Sequence, residues 1–246
     1  FTNANWDTAQ TVTVTGVDDN IIDGTITSTI TVSVVDASSD DNFDAVIDQD
    51  VSVTTTDNDT AGFTITQSGG STTVAETGTT DTFTVVLNAQ PDSNVVFTIT
   101  SGDTGEATVT GTLTFTNANW DTAQTVTVTG IDDNIIDGTI SSTITVAIND
   151  GSSDNNFDPI DNQTVSVSTT DNDTAGFTIT ETGGSTSVSE DGTTDTFTIV
   201  LDAQPDSDVV LTVTSSDTGE ATVNSPLTFT SANWDTAQTV TVTGLN

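Results

Sequence analysis

The segment FTNANWDTAQTVTVTG begins at Phe1 and returns at Phe115, a near copy begins at Phe229, and DNDTAGFTIT begins at both Asp57 and Asp171. Every interval is 114 residues. That is too long for one turn of a solenoid, whose repeats run about 20–45 residues, and it is the size of a whole domain. The chain therefore reads as tandem domains. Residues 1–59 are the C-terminal part of one repeat, 60–173 a complete repeat, and 174–246 the N-terminal part of another.

Within a repeat, hydrophobic and polar residues alternate with period two. Examples are TFTVVL (82–87), NVVFTIT (94–100), TLTFT (112–116), QTVTVT (124–129), TITVAI (143–148) and QTVSVS (163–168). β-Branched residues dominate these runs, and Gly, Asn, Asp and Pro separate them. No stretch shows a helical period. GFTIT (62–66) and STTV (71–74) add a first strand in two pieces. The expected fold class is all-β: antiparallel, immunoglobulin-like β-sandwiches in tandem. The connection TDNDTAG has no Pro-rich or Gly/Ser-rich spacer, so successive sandwiches are expected end to end, as a rod.

The chain carries 37 Asp and Glu and no Lys, Arg or His, a formal charge of −37. Two carboxylates about 5 Å apart repel by roughly 3 kcal/mol at an effective dielectric near 20, and no side chain can form a salt bridge. Dispersal of the charges, external salt or bound cations must relieve them. Nucleic acid and anionic membranes are excluded as direct partners, because both call for Lys and Arg. Without Cys there are neither disulfides nor zinc–thiolate sites. Without His, Lys, Cys or Tyr the usual bases and nucleophiles are missing, so the chain is not expected to be an enzyme.

In an antiparallel sandwich consecutive strands reverse direction, so alternate connections share a pole. Counting along the complete repeat, one pole collects Glu76, the loop with Asp103 and Glu106, the VTGIDDNIIDG loop with Asp132, Asp133 and Asp137, and the exit with Asp171 and Asp173. Oxygen-only ligands in flexible loops suit Ca²⁺, which takes six to eight oxygens and tolerates loose geometry. Zinc and copper would call for His or Cys. The 114-residue period extends the candidates to Asp18, Asp19, Asp23, Asp57 and Asp59 in the preceding repeat and to Glu190 and Glu220 in the following one. EF-hand spacing fails from Asp171, where the fifth position is Ala175 and the twelfth Thr182.

VAETGTTDTFTVVL, GTLTFTNANWDTAQTVTVTGIDDNIIDG and VSVSTTDND, in that order, resemble the Calx-beta domain, a family found in sodium–calcium exchangers and as tandem modules of large bacterial surface proteins. The resemblance covers the whole repeat. It implies a seven-stranded sandwich with calcium at one end, between successive domains. By motif, Glu76 matches the acidic residue after the first strand, Asp132 and Asp133 the acidic pair, and Asp171 and Asp173 the terminal acidic run. The usual Asp-Tyr element has no counterpart, and Glu106 stands in its place. Asn172 interrupts the terminal run, which would reduce the number of ions held.

The expectation is a calcium-rigidified repeat of a bacterial extracellular stalk, adhesin or filament, acting as a mechanical extender. Its partners would be calcium ions, neighbouring repeats of the same chain and other copies in a filament. A ligand-binding adhesive module and a self-assembling subunit with complementary half-domains are the alternatives. Trp6, Trp120 and Trp234 are expected as packing anchors, and the loop 149–163 at the opposite pole, with Asp150, Asp154, Asp158 and Asp161, as dispersed surface charge.

Overall fold

The structure is a computed structural model that describes residues 1–246. The chain begins with a hairpin of β1 (Ile26–Val32) and β2 (Gln49–Thr55). The central part holds β3 (Phe63–Gln67), β4 (Thr72–Ala75), β5 (Thr80–Leu87), β6 (Val95–Ser101), β7 (Ala107–Val109), β8 (Thr112–Phe115), β9 (Gln124–Gly130), β10 (Ile140–Ile148) and β11 (Gln163–Thr170). The last part holds β12 (Phe177–Glu181), β13 (Thr194–Leu201), β14 (Val209–Leu211), β15 (Ala221–Val223), β16 (Leu227–Phe229) and β17 (Gln238–Gly244). There is no α-helix, only short 3₁₀ turns.

The central strands form two sheets, ordered β3-β5-β9-β7 and β4-β11-β10-β6-β8. All pairs are antiparallel except β4 with β11, where Thr72–Ala75 run alongside Val167–Thr170. Each strand turns alternate residues to the other sheet, and those residues make one core of 19 buried side chains. Phe97 sits at its centre, edge-on to Phe63 at 4.9 Å and to Phe115 at 5.7 Å. This is the antiparallel β-sandwich that the alternation predicts.

The central sandwich has nine strands rather than seven. The first strand is split into β3 and β4 as expected, but β7 is additional. Three residues, ATV, are too few to display alternation. They form a strand because Ala107 to Val109 pair with Gly130 to Val128 at the end of β9. The consequence is positional: β7 holds the preceding Glu106 beside the exit of β9, where the Ile131 N–H donates to the Glu106 carbonyl at 2.9 Å.

A second close approach fixes the same corner. A Cβ on Gly130 would lie 2.1 Å from the Ala75 carbonyl oxygen, so only glycine lets β9 leave the sheet against the end of β4. Gly244 repeats this against Ser189. Glu76, the next residue after β4, is thereby placed against the loop that follows β9.

Trp120 packs against the central core, and its carbonyl accepts from the Leu87 N–H at 3.1 Å; Trp234 does the same for Leu201 at 3.1 Å. Both are anchors at the ends of their sheets. Trp6 is 72% exposed.

Candidate metal centre

Four connections meet at one end of the central sandwich: the turn after β4, the loop after β6, the loop between β9 and β10, and the segment leaving β11. Carboxylate oxygens of Glu76, Asp171 and Asp173 lie within 4.8 Å of one another, and those of Glu76, Glu106 and Asp137 form a second such group. Glu76 belongs to both and is 1% exposed.

Short hydrogen bonds shape the cluster. The Asn172 N–H donates to Glu76 Oε2 at 3.2 Å, and Asn172 Nδ2 donates to Asp132 Oδ1 at 3.1 Å. Asn172 is thus a neutral donor to two carboxylates, where an Asp would have added a further negative charge. Asp171 accepts from Gly138 N–H at 2.9 Å and from Asp173 N–H at 2.6 Å. Asp133 Oδ1 accepts from Ile135 N–H at 2.7 Å, which folds the loop back on itself. Asp132 and Asp133 therefore lie in the same assembly without joining either close group.

The carboxylates raise one another's proton affinity. Burial pushes the Glu76 carboxyl up, and the charges of Asp171, Asp133 and Asp137 push the same way against the Asn172 hydrogen bond. Burial, then Asp137 and Glu76, raises Glu106. Burial followed by neighbouring carboxylates also raises Asp137 and Asp173. Asp171 alone moves down, held by the backbone N–H groups of Asp173 and Gly138.

The residues fit a hard cation. Every donor is oxygen, which selects Ca²⁺, Mg²⁺ or Mn²⁺ over zinc and copper. Opposite ligands on a calcium ion, each at about 2.4 Å, are separated by roughly the spacing seen here. Glu106 is 7% exposed, yet its Oε2 is buried without any partner, as is Asp173 Oδ2. A buried carboxylate oxygen lacking a donor is costly, and a cation at that point would satisfy it.

The candidates outside the central sandwich fall into two incomplete sets. Asp18, Asp19, Asp23, Asp57 and Asp59 line one open depression with Gly24. There Asp57 accepts from Gly24 N–H at 2.8 Å and Asp59 N–H at 2.8 Å, matching Asp171 bond for bond. Asp59 is raised by burial and by Asp57, as Asp173 is by Asp171. No glutamate faces them. Glu190 and Glu220 are both exposed.

At the opposite pole the expectation of dispersed charge is wrong for Asp154. It is 5% exposed and accepts from Ser93 N–H and Asn156 N–H, both at 2.9 Å. The carboxylate ties the β5–β6 turn to the loop between β10 and β11. Its signal in the sequence was the Asx pattern SSDNN, which reads equally well as a solvated turn. Replacing Asp154 with Ala leaves two N–H groups unsatisfied, and we expect a loss of about 1–2 kcal/mol in denaturant unfolding without any change in cation titration.

No protein-family model matches the chain, and no curated protein sequence does. Among solved structures it is similar to the apo-form Calx CBD1 domain, at 16% identity over 45% of this chain and 98% of that one, TM-score 0.33. The calcium-binding domain CBD12 of CALX1.1 is 17% identical over 74% of this chain and 76% of that one, TM-score 0.33. Domains 4 and 5 of the S-layer protein SbsC are 23% identical over 51% and 54%, TM-score 0.33.

Proposed function

We propose that the chain is a calcium-stabilised structural repeat of an extracellular, bacterial surface stalk or filament, with repeat boundaries at 1–59, 60–173 and 174–246. Its work is mechanical: reach and stiffness. One observation carries the reading. Glu106 is a buried carboxylate with an unpartnered oxygen, aimed into a cluster of acids in a chain with no cationic side chain. Something outside the chain must supply the countercharge, and calcium suits the oxygens present.

The ions would be held by Glu76, Asp171 and Asp173, and by Glu76, Glu106 and Asp137, with Asp132 and Asp133 completing the shell. The neighbouring repeats are the second class of partner. Asp171 and Asp173 lie in the link to the next repeat, so an ion bound there joins that link to the turn after β4, while the second group ties the same turn to the loops carrying Glu106 and Asp137. No helix is long and apolar enough to cross a membrane.

Glu76 is shared by both groups, so Glu76→Gln tests both at once. Titration calorimetry of the intact chain should show calcium binding weakened at least tenfold, with Mg²⁺ binding weaker than Ca²⁺ in both proteins. Unchanged calcium binding in Glu76→Gln rejects the assignment.

A further inference from the structure

The loop between β9 and β10 does something that its carboxylates alone do not explain. Its tip is Asn134, Ile135 and Ile136, flanked by Asp133 on one side and Asp137 on the other. The Asn134 carbonyl accepts from the Gln204 N–H at 2.7 Å, and Ile135 forms a parallel bridge with Gln204. Gln204 belongs to the β13–β14 turn, beyond the link.

The same contact occurs one period earlier. The Asn20 carbonyl accepts from the Gln90 N–H at 2.8 Å, and Ile21 bridges Gln90. There Ile22 also packs against the central core, and Asn156 Nδ2 donates to the Ile22 carbonyl at 3.4 Å. The receiving glutamine is braced each time by its own side chain. Gln90 Nε2 donates to the Asn117 carbonyl at 2.8 Å, and Gln204 Nε2 to the Ser231 carbonyl at 3.0 Å. Two occurrences, with partners displaced by the repeat length, make this a built contact.

We propose that this tip is the clasp between successive repeats and that cation binding closes it: an ion held by Glu76, Glu106 and Asp137 fixes the Asp137 foot of the loop and so sets the position of Asn134–Ile136, which grips Gln204 of the next repeat. This rests on the cation reading above and names how occupancy is passed on. Three residues extend at most about 10 Å, so a tip this short cannot move independently of the feet on either side. Both feet are anchored in the cluster. Asp133 folds over the Ile135 N–H, Asp132 is held by Asn172, and Gly138, next to Asp137, donates to Asp171. Without a cation the feet repel one another and the link's Asp171 and Asp173. With one they are drawn to a common point, and the tip is presented in a single geometry. An ion buried in one sandwich thus becomes a backbone bond to the next.

The test is amide exchange at Gln204, followed by NMR on the full chain in calcium and in chelator, beside calorimetry on the same samples. Exchange of the Gln204 N–H should slow at least tenfold in calcium. Gln204→Pro removes that N–H on the far side of the joint and touches no carboxylate. It should leave the calcium titration within twofold of wild type while abolishing the calcium-induced narrowing of the distance distribution between spin labels on the central and following repeats. A Gln204 amide that exchanges freely in both conditions, one equally protected in both, or a Gln204→Pro variant that still narrows with calcium each overturns the clasp. Absence of calcium heat in wild type instead rejects the cation site, and the exchange data then report independently on whether the contact forms.

Discussion

Chelation should lower the unfolding midpoint of this chain by roughly 15 °C or more in low-salt buffer at neutral pH. A ligand that binds only the folded state at a thousandfold excess over its Kd adds about 4 kcal/mol per site. For a domain near 100 residues each kcal/mol moves the midpoint by roughly 4–8 °C. The native chain, moreover, has no internal means of relieving its charge. In most acidic proteins a lost cation leaves Lys and Arg to compensate in part, and here there are none. Scanning calorimetry in calcium and in chelator gives the measurement, and molar NaCl is the decisive control. Screening falls to a Debye length of about 3 Å at that strength and relieves repulsion, but it supplies no ligand to Glu106 Oε2. Salt should therefore recover part of the loss and not all of it. A midpoint unmoved by chelator, or one that salt restores completely, would leave ligation with no part in stability.

How much of this was legible in the sequence differs from one feature to the next, for physical reasons. The sandwich and the pole at which the acids gather follow from period-two alternation and strand reversal, and both survive because they depend on many residues at once. Strand formation itself is less local. QTVTVTG occurs at 10–16, 124–130 and 238–244, and it is a strand in the last two places but not in the first. The second and third copies lie against β5 and β13; the first has no such neighbour. β-Propensity is a fit to a half-buried surface, and away from that surface the same letters form no strand and are exposed. Likewise β4 has its ladder because β11 runs beside it, while Ser187–Ser189, one period on, is not a strand.

Within the candidate site, carboxylates were easy to find and their neutral companions were not. Asn172 looked like an interruption of the acidic run, yet it is the donor that binds Glu76 and Asp132. Gln90 and Gln204 carried no chemical signal, since what they offer across the joint is a backbone N–H, which every residue except proline possesses. The recurrence of AQPDS at 89–93 and 203–207 was the available hint. Its letters are those of an ordinary turn, and the accepting carbonyl is contributed by a different repeat. Contacts made by the main chain between units leave almost no trace in composition.

The pH dependence of stability should reverse sign with calcium. Glu76, Glu106, Asp137 and Asp173 are all raised above their ordinary range by burial and mutual repulsion. A carboxyl with a raised folded-state pKa binds its proton more readily folded than unfolded. Between its ordinary value and its raised one, stability then falls as pH rises. Metal-free chain should accordingly become more stable on acidification from neutral pH towards the ordinary carboxylate range, the opposite of common acid denaturation. Asp171, held down by backbone N–H groups, opposes this only below that range, where its own stabilisation is lost. In excess calcium the same protons compete with the ion, so acidification destabilises. Glu106→Gln separates the two arms, because it removes the buried charge and keeps the shape. In chelator at neutral pH it should be more stable than wild type by on the order of 2 kcal/mol. That is below the roughly 3 kcal/mol of one close carboxylate contact at an effective dielectric near 20, since solvent and salt screening already relieve part of the repulsion. The advantage should shrink as pH falls towards the ordinary carboxylate range, because the raised Glu106 carboxyl takes up its proton there, and in calcium the variant should be the less stable protein because a ligand is gone. Thermal midpoints from pH 4.5 to 8 in the two buffers give four curves. If metal-free stability stays level or drops on acidification, or if Glu106→Gln weakens the chain in chelator, the buried acids are not the strained, ion-seeking groups their surroundings make them.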